Sequence, residues 1–318
     1  MATDSAPDLA KNVMAKNVMA KNGTPENEDT PRGFAFGLTA YFLWGFLPLY
    51  LKAVAHIPSL EVLANRAIWS VPFAGLVLVL LRRTGDLKIA LKNPRMLAMA
   101  SLTAAIIGAN WGIYVWSVAA GRTLDAALGY FINPLFSVLL AALILKERLT
   151  PAQMAAIGLA AIAVAILTVD AGGLPWVSIA LTVTWGFYAL FRKTLPIGPN
   201  QGFFLEVLLI SIPCLPYVIW LEATGQGHLT NSSGWDAFIL MAAGIVTAGP
   251  LMIYANGAKL LKLSTIGIMQ YIAPTMIFLV AVFVFHEPLG SVKLGAFVLI
   301  WAALVLYTWS MLRQARGR

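Results

Sequence analysis

Polar and charged positions interrupt this chain at long intervals. Between residues 33 and 312 the apolar residues run continuously, without the alternation expected of strands lining a barrel. Charge-poor runs of about 20 residues are long enough to cross a hydrocarbon core of about 30 Å. Ten segments fit that length: 33–54, 61–82, 96–119, 125–145, 151–170, 173–194, 200–222, 235–260, 264–285 and 290–312. The pattern predicts an all-α membrane protein of ten transmembrane helices. The longest connections, 82–95 and 223–234, are too short to fold as domains. Whatever chemistry the chain performs is expected inside the helical bundle or at its mouths.

The fourth segment has a counterpart 140 residues later. Residues 128–149 lie over 268–289 without a gap, and Ile132/Ile272, Pro134/Pro274, Leu139/Leu279, Ala141/Ala281, Glu147/Glu287 and Leu149/Leu289 coincide. Tyr114 falls over Tyr254 in the same register, and Trp44-Gly45-Phe46 in segment one matches Trp185-Gly186-Phe187 in segment six. Each copy holds five segments, an odd number, so the second must enter the membrane from the opposite face. The expectation is two inverted five-helix repeats, 33–170 and 173–312. Secondary transporters use this construction, with a site near the bilayer midplane where the repeats meet.

Composition agrees with a bilayer. Hydrophobic residues make up 59% and charged residues 11% of the 318, against about a quarter charged in soluble domains. The net charge of +8 suggests nucleic acid until its distribution is seen. The N-terminal tail, the even-numbered connections and the C-terminus hold 18 of the 22 Lys and Arg; the other side holds three, Lys52, Arg122 and Lys293. That bias is the positive-inside pattern, so the basic excess orients the chain, with both termini cytoplasmic, and recognises no nucleic acid. Residues 1–32 carry a short tandem repeat of Ala-Lys-Asn-Val-Met and are expected to be a disordered cytoplasmic tail; 313–318 are expected to be a short cytoplasmic tail. No apolar stretch lies near Met1, so segment one is expected to act as an uncleaved anchor. The one cysteine, Cys214, excludes an intramolecular disulfide.

The residues Ala40-Tyr-Phe-Leu-Trp-Gly-Phe-Leu-Pro48, Asn65-Arg-Ala-Ile-Trp-Ser70, Gly108-Ala-Asn-Trp111, Leu128-Gly-Tyr-Phe-Ile-Asn-Pro134 and Gln270-Tyr-Ile-Ala-Pro-Thr275 carry a family resemblance. The chain resembles the drug/metabolite transporter superfamily, built from EamA-type repeats, and within it the RarD-like branch. The resemblance spans about 33–312. It implies ten helices, a cavity lined by helices 1–4 and 6–9, and peripheral helices 5 and 10. It also implies a bacterial inner-membrane permease or exporter of small organic metabolites or drugs, working by alternating access. Many relatives have Gly-Glu at the ends of helices four and nine, where this chain has Lys146-Glu147 and His286-Glu287.

Candidate lining residues follow from polar and aromatic side chains sharing helix faces. In segment four, Asp125, Gly129, Asn133 and Ser137 recur every four residues beside Tyr130. They form either a cavity stripe or a helix–helix seam, since small and polar residues also pack helices in bilayers. Segment three offers Asn110, Tyr114 and Trp111, the last too deep for an interfacial belt. Segments one and six offer Tyr41 and Trp44, and Trp185 and Tyr188. Segments eight and nine add Thr247, Tyr254, Gln270 and Tyr271. Pro48, Pro134, Pro250 and Pro274 are candidate hinges or kinks, each removing a backbone donor.

Two charges lie inside segments. Arg66 is about five residues below one face and Glu206 about six above the other, leaving about 12 Å between their levels at 1.5 Å per residue. Arg66 is read either as an anion or gate contact or as a side chain reaching back to the surface. Glu206 is read either as carrier of a coupling proton or cationic group or as a satisfied carboxylate. The histidines His56, His228 and His286 fall in separate connections, so no metal or other cofactor is expected. The partners expected are a small-molecule solute and the lipid bilayer. No nucleophile–base set is evident at membrane depth. A membrane-embedded enzyme or a lipid-handling protein is the alternative reading.

Overall fold

A computed structural model describes residues 30–82, 84–144, 149–257, 260–261 and 263–316. Among these there is no strand; the chain is helix after helix. In order they are α1 (Pro31–Ala53), α2 (Ser59–Leu80), α3 (Gly85–Lys92), α4 (Pro94–Ala119), α5 (Thr123–Ile144) and α6 (Pro151–Asp170). Then follow α7 (Trp176–Thr194), α8 (Pro199–Ala223), α9 (Gly234–Gly257), α10 (Leu263–Met269), α11 (Ile272–Leu279) and α12 (Ser291–Arg316). A π-helical turn, Val280–Val284, extends α11. Glu147 and the tail 1–29 lie outside the described residues.

Nine stretches among the described residues are long and apolar enough to cross a membrane: α1, α2, α4, α5, α6, α8, α9, the α10–α11 run and α12. The sixth segment, α7, forms a 19-residue helix but is not among the nine. Its Ser178, Thr182, Thr184 and Arg192 lower its hydropathy.

Local chemistry sets the helix ends. Thr30 caps α1 by accepting from the Gly33 amide, with Pro31 pre-set for the first turn. Thr150 and Gln153 form a reciprocal capping box at the start of α6, which makes Gln153 a helix-starting residue. At the end of α4, Gly121 takes φ +66°, the Gly121 amide bonds Val118 O and the Arg122 amide bonds Ser117 O at 2.7 Å. That is the two-bond termination a left-handed glycine permits. Helices α6 and α8 end the same way at Gly172 and Gly225.

Two elements differ from the sequence pattern. The 82–95 connection contains the short helix α3, whose buried Ala90 and half-buried Leu87 pack with Met96, Ala100 and Leu205. Its apolar spacing is too brief to stand out beside 20-residue runs. The ninth segment, read as one span, is broken: the Tyr271 amide bonds Ile268 O instead of Gly267 O, and Gln270 Nε2 donates to Gly267 O at 3.0 Å. A side-chain amide thus replaces the lost backbone donor one residue before α11 begins, and Pro274 sits in the first turn of α11.

Packing follows a pattern in which each strong pairing has a partner five spans on. Helix α1 packs on α9 as α4 packs on α7; α1 packs on α11 as α5 packs on α7; α2 packs on α9 as α4 packs on α8. Helices α2 with α8, α5 with α11, and α6 with α12 pair with their own counterparts. The seams use matching residues. A Cβ on Gly45 would fall 2.6 Å from Met276, and one on Gly186 would fall 2.5 Å from Phe136. Met276 lies 140 positions after Phe136, so the duplicated register reappears as a duplicated contact. Helices α6 and α12 stand beside the rest, joined through Thr150 and Ser310.

Candidate functional site

Polar side chains in a bilayer interior persist only where something satisfies them, because a mid-membrane Arg costs about 2.5–3.5 kcal/mol even on the lenient insertion scale. The centre of this bundle holds two such charges, set in aromatic surroundings.

Arg66, on α2, is 2% exposed and so does not reach the surface. Its Nε donates to Thr247 Oγ1 on α9 at 3.0 Å, and its guanidinium carbon lies 5.2 Å from the centre of the Trp111 ring on α4. The phenols of Tyr50, Tyr114 and Tyr130 are near enough to interact with it electrostatically. Tyr50 donates to Ile239 O at 2.8 Å, whereas Arg66 Nη1 and the Tyr114 hydroxyl are buried without a hydrogen-bond partner. No ion pair among the described residues includes Arg66.

Glu206, on α8, is 1% exposed and differently placed. Tyr188 donates to its Oε2 at 3.0 Å, and Arg192 Nε stands 3.3 Å from its Oε1, at ion-pair distance but without hydrogen-bond alignment. Arg192 also donates to Pro199 O at 2.9 Å. It can lie across the start of α8 because Gly202 has no side chain there; a Cβ would fall 2.0 Å from Arg192 Nη2. Glu206 therefore pairs with Arg192 and not with Arg66.

Aromatic rings join the two regions. Tyr114 meets Tyr130 edge-on at 5.4 Å, Tyr130 meets Trp185 at 6.4 Å, and Trp185 lies 5.8 Å from Tyr188. Trp111 is 6.4 Å from Phe203. A second cluster, Tyr41, Trp44 and Tyr254, has centroids 5.4–5.7 Å apart. Asn110 donates to Leu181 O at 3.1 Å and to Thr184 Oγ1 at 2.8 Å, tying α4 to α7, and leaves its own Oδ1 unpartnered. Asn133 is buried with a free Oδ1.

The segment-four stripe divides. Asp125 and Gly129 are a seam: Ser178 donates to Asp125 O at 2.6 Å, Thr182 donates to Gly129 O at 2.9 Å, and a Gly129 Cβ would fall 2.7 Å from Ser178 O. Ser137 is exposed. Of the stripe and its neighbour, Asn133 and Tyr130 remain in the interior. The Asp125 carboxylate pairs with Lys293 at 3.0 Å and Arg122 at 2.8 Å, and Glu287 accepts from the Thr123 and Leu124 amides, closing the start of α5. Gln270 marks the break before α11, and Tyr271 packs half-buried against the main core. Pro48, Pro134 and Pro250 are buried within α1, α5 and α9.

Tyr50, Thr184, Arg192 and Phe203 were not among the sequence candidates. Arg192 follows Tyr188 by four residues and so shares its helix face, a signal obscured by its position beside Lys193 in a basic connection. The structure also gathers residues from separate connections: His56 Nε2 pairs with Asp236 at 2.9 Å, His228 Nδ1 with the buried Glu61 at 2.8 Å, and the two rings are 6.4 Å apart. Among the described residues no three His, Cys, Asp or Glu gather as a metal site.

The family comparison decides what this bundle is. The model of the EamA-like transporter family matches twice, over residues 31–169 and 173–309. The chain belongs to that family. Within it, the chain is 40% identical to Protein RarD of Streptomyces exfoliatus over 291 residues, covering 92% of each. It is 38% identical over 299 residues to the uncharacterized transporter YojE of Bacillus subtilis, covering 92% of this chain and 98% of the relative. It is 33% identical over 289 residues to Protein RarD of Escherichia coli, covering 91% and 98%. A solved crystal structure shares the fold with a TM-score of 0.56 at 19% identity, covering 89% of this chain and 98% of that one. This EamA-family chain is thus a RarD-like, multi-pass membrane protein.

Proposed function

We propose that this chain is a secondary transporter of small organic solutes, moving them by alternating access between two inverted five-span halves in a bacterial inner membrane. The observation that carries the reading is the composition of the interior. Beside contacts within each half, several join one half to the other: Arg66 to Thr247, Trp111 to Phe203, Trp44 to Tyr254, Tyr130 to Trp185, and Asn110 to Thr184. Two halves that rock past one another would open this interior first, and transporter sites lie at such repeat interfaces. Inversion is supported by the odd number of spans per half once α7 is counted as a span, and by the basic bias that places both termini in the cytoplasm.

Two measurements test this. Proteoliposomes loaded with a mixture of labelled small organic acids, amines and neutral metabolites should release at least one of them faster than protein-free vesicles; release at the leak rate for every solute would contradict transport. In a Cys214→Ser background, Asn231→Cys should react with an impermeant maleimide in intact cells, and Lys88→Cys only after permeabilisation. Labelling of both from one side would contradict the inverted topology.

A further inference from the structure

The transport reading leaves the solute open, and the surroundings of Arg66 narrow it. Its guanidinium keeps its charge at any physiological pH, so burial cannot be relieved by losing a proton. The groups in contact with it are neutral, the Thr247 hydroxyl and the Trp111 ring, as are the phenols of Tyr50, Tyr114 and Tyr130 within its electrostatic reach. Two donors there have no acceptor, Nη1 of Arg66 and the hydroxyl of Tyr114. A guanidinium with an unpartnered Nη1, within electrostatic reach of an unpartnered phenol, matches a carboxylate, which accepts through two oxygens and supplies the missing charge. One cation without a second beside it suits one negative charge and leaves a dianion uncompensated.

We propose that the transported solute is an organic monoanion, a carboxylate on an aromatic or apolar body. Its carboxylate docks on Arg66 Nη1 and the Tyr114 hydroxyl, and its body lies against Trp111 and Tyr130. That the anion is carried across rests on the proposed function; that it docks rests on the two unpartnered donors. Because Thr247 belongs to the second half and orients Arg66 Nε, the anion sits where the halves meet.

Matched ligands separate charge from shape. The purified full-length protein in detergent micelles is titrated with phenylacetate against phenylacetamide, 4-methylpentanoate against 4-methylpentanamide, and 2-phenylethylamine, with the unfolding temperature and affinity as readouts. At least one carboxylate should bind about tenfold or more tightly than its amide, as a charge-assisted pair predicts. Arg66→Gln should remove that preference and Arg66→Lys should keep part of it. Equal binding of acid and amide, preference for the amine, no carboxylate effect, or full carboxylate affinity in Arg66→Gln would each overturn the proposal. If Arg66→Gln does not fold, the acid-to-amide comparison in the unsubstituted protein decides alone. In proteoliposomes the two readings fail separately. A carboxylate that binds at Arg66 without crossing would remove transport and leave the anion site. Flux of amines or neutral solutes with no carboxylate would do the reverse.

Discussion

Arg66 and Glu206 are both buried charges on membrane-length helices, and the protein treats them in opposite ways. Glu206 has a cation at 3.3 Å and a phenol donating at 3.0 Å, and Gly202 is bare so that the cation can reach it. Arg66 has a hydroxyl, rings and an unpartnered Nη1. A charge neutralised within the fold contributes to holding two helices together, here α7 and α8. A charge left without a counter-ion costs stability and persists only where something outside the fold completes it. Depth in the membrane is therefore a weak guide to function; the set of partners is a stronger one.

Breaking the Glu206 pair should give the largest loss of stability. Glu206→Ala leaves Arg192 with only the carbonyls of α8's first turn and should cost about 3 kcal/mol in reversible unfolding from mixed micelles, the low end for a broken buried pair because Arg192 lies near the surface. Gly202→Ala should reproduce about 1–2 kcal/mol of that loss without touching either charge, because its Cβ evicts the guanidinium. Tyr188→Phe, which removes one hydrogen bond to a carboxylate, should cost about 1 kcal/mol. At the other end of the scale, Arg66→Gln should leave stability unchanged or slightly raised, as expected when a functional charge is removed from a site that does not neutralise it. A double-mutant cycle sharpens the contrast. Arg192→Gln and Glu206→Gln should couple by about 1–3 kcal/mol, while Arg66→Gln and Glu206→Gln should add to within about 0.5 kcal/mol. Coupling between Arg66 and Glu206 would mean that the two are one network and would undo the comparison.

Much of the helical framework was legible because it depends on local and compositional rules. Long apolar runs place most of the spans without tertiary information, although α1 starts at Pro31, inside the stretch expected to be tail. The rise of a helix kept Arg66 and Glu206 on separate levels, and the structure pairs Glu206 elsewhere. What could not be read depends on neighbours. Pro134 and Pro274 occupy the same register, yet α5 runs through the first and the chain breaks before the second. The copies differ where Tyr130 and Leu135 stand in one and Gln270 and Thr275 in the other. Only Gln270 offers an amide to the carbonyl of Gly267, and Thr275 adds its hydroxyl to Tyr271 O at 2.7 Å. The Asp125–Gly129 stripe could not be assigned from sequence because a seam and a lining use the same small polar residues, and only the opposite helix distinguishes them.

The difference between the two charges can be measured at the atoms concerned. In lipid, rotational-echo NMR between carboxyl-13C phenylacetate and the protein labelled at arginine with 15N reports whether the carboxyl carbon lies within about 4 Å of a guanidinium, the range of a charge-assisted contact. The account predicts dephasing that disappears in Arg66→Gln and survives in Arg192→Gln. Dephasing that persists without Arg66, or that is absent while the ligand is bound, would contradict it.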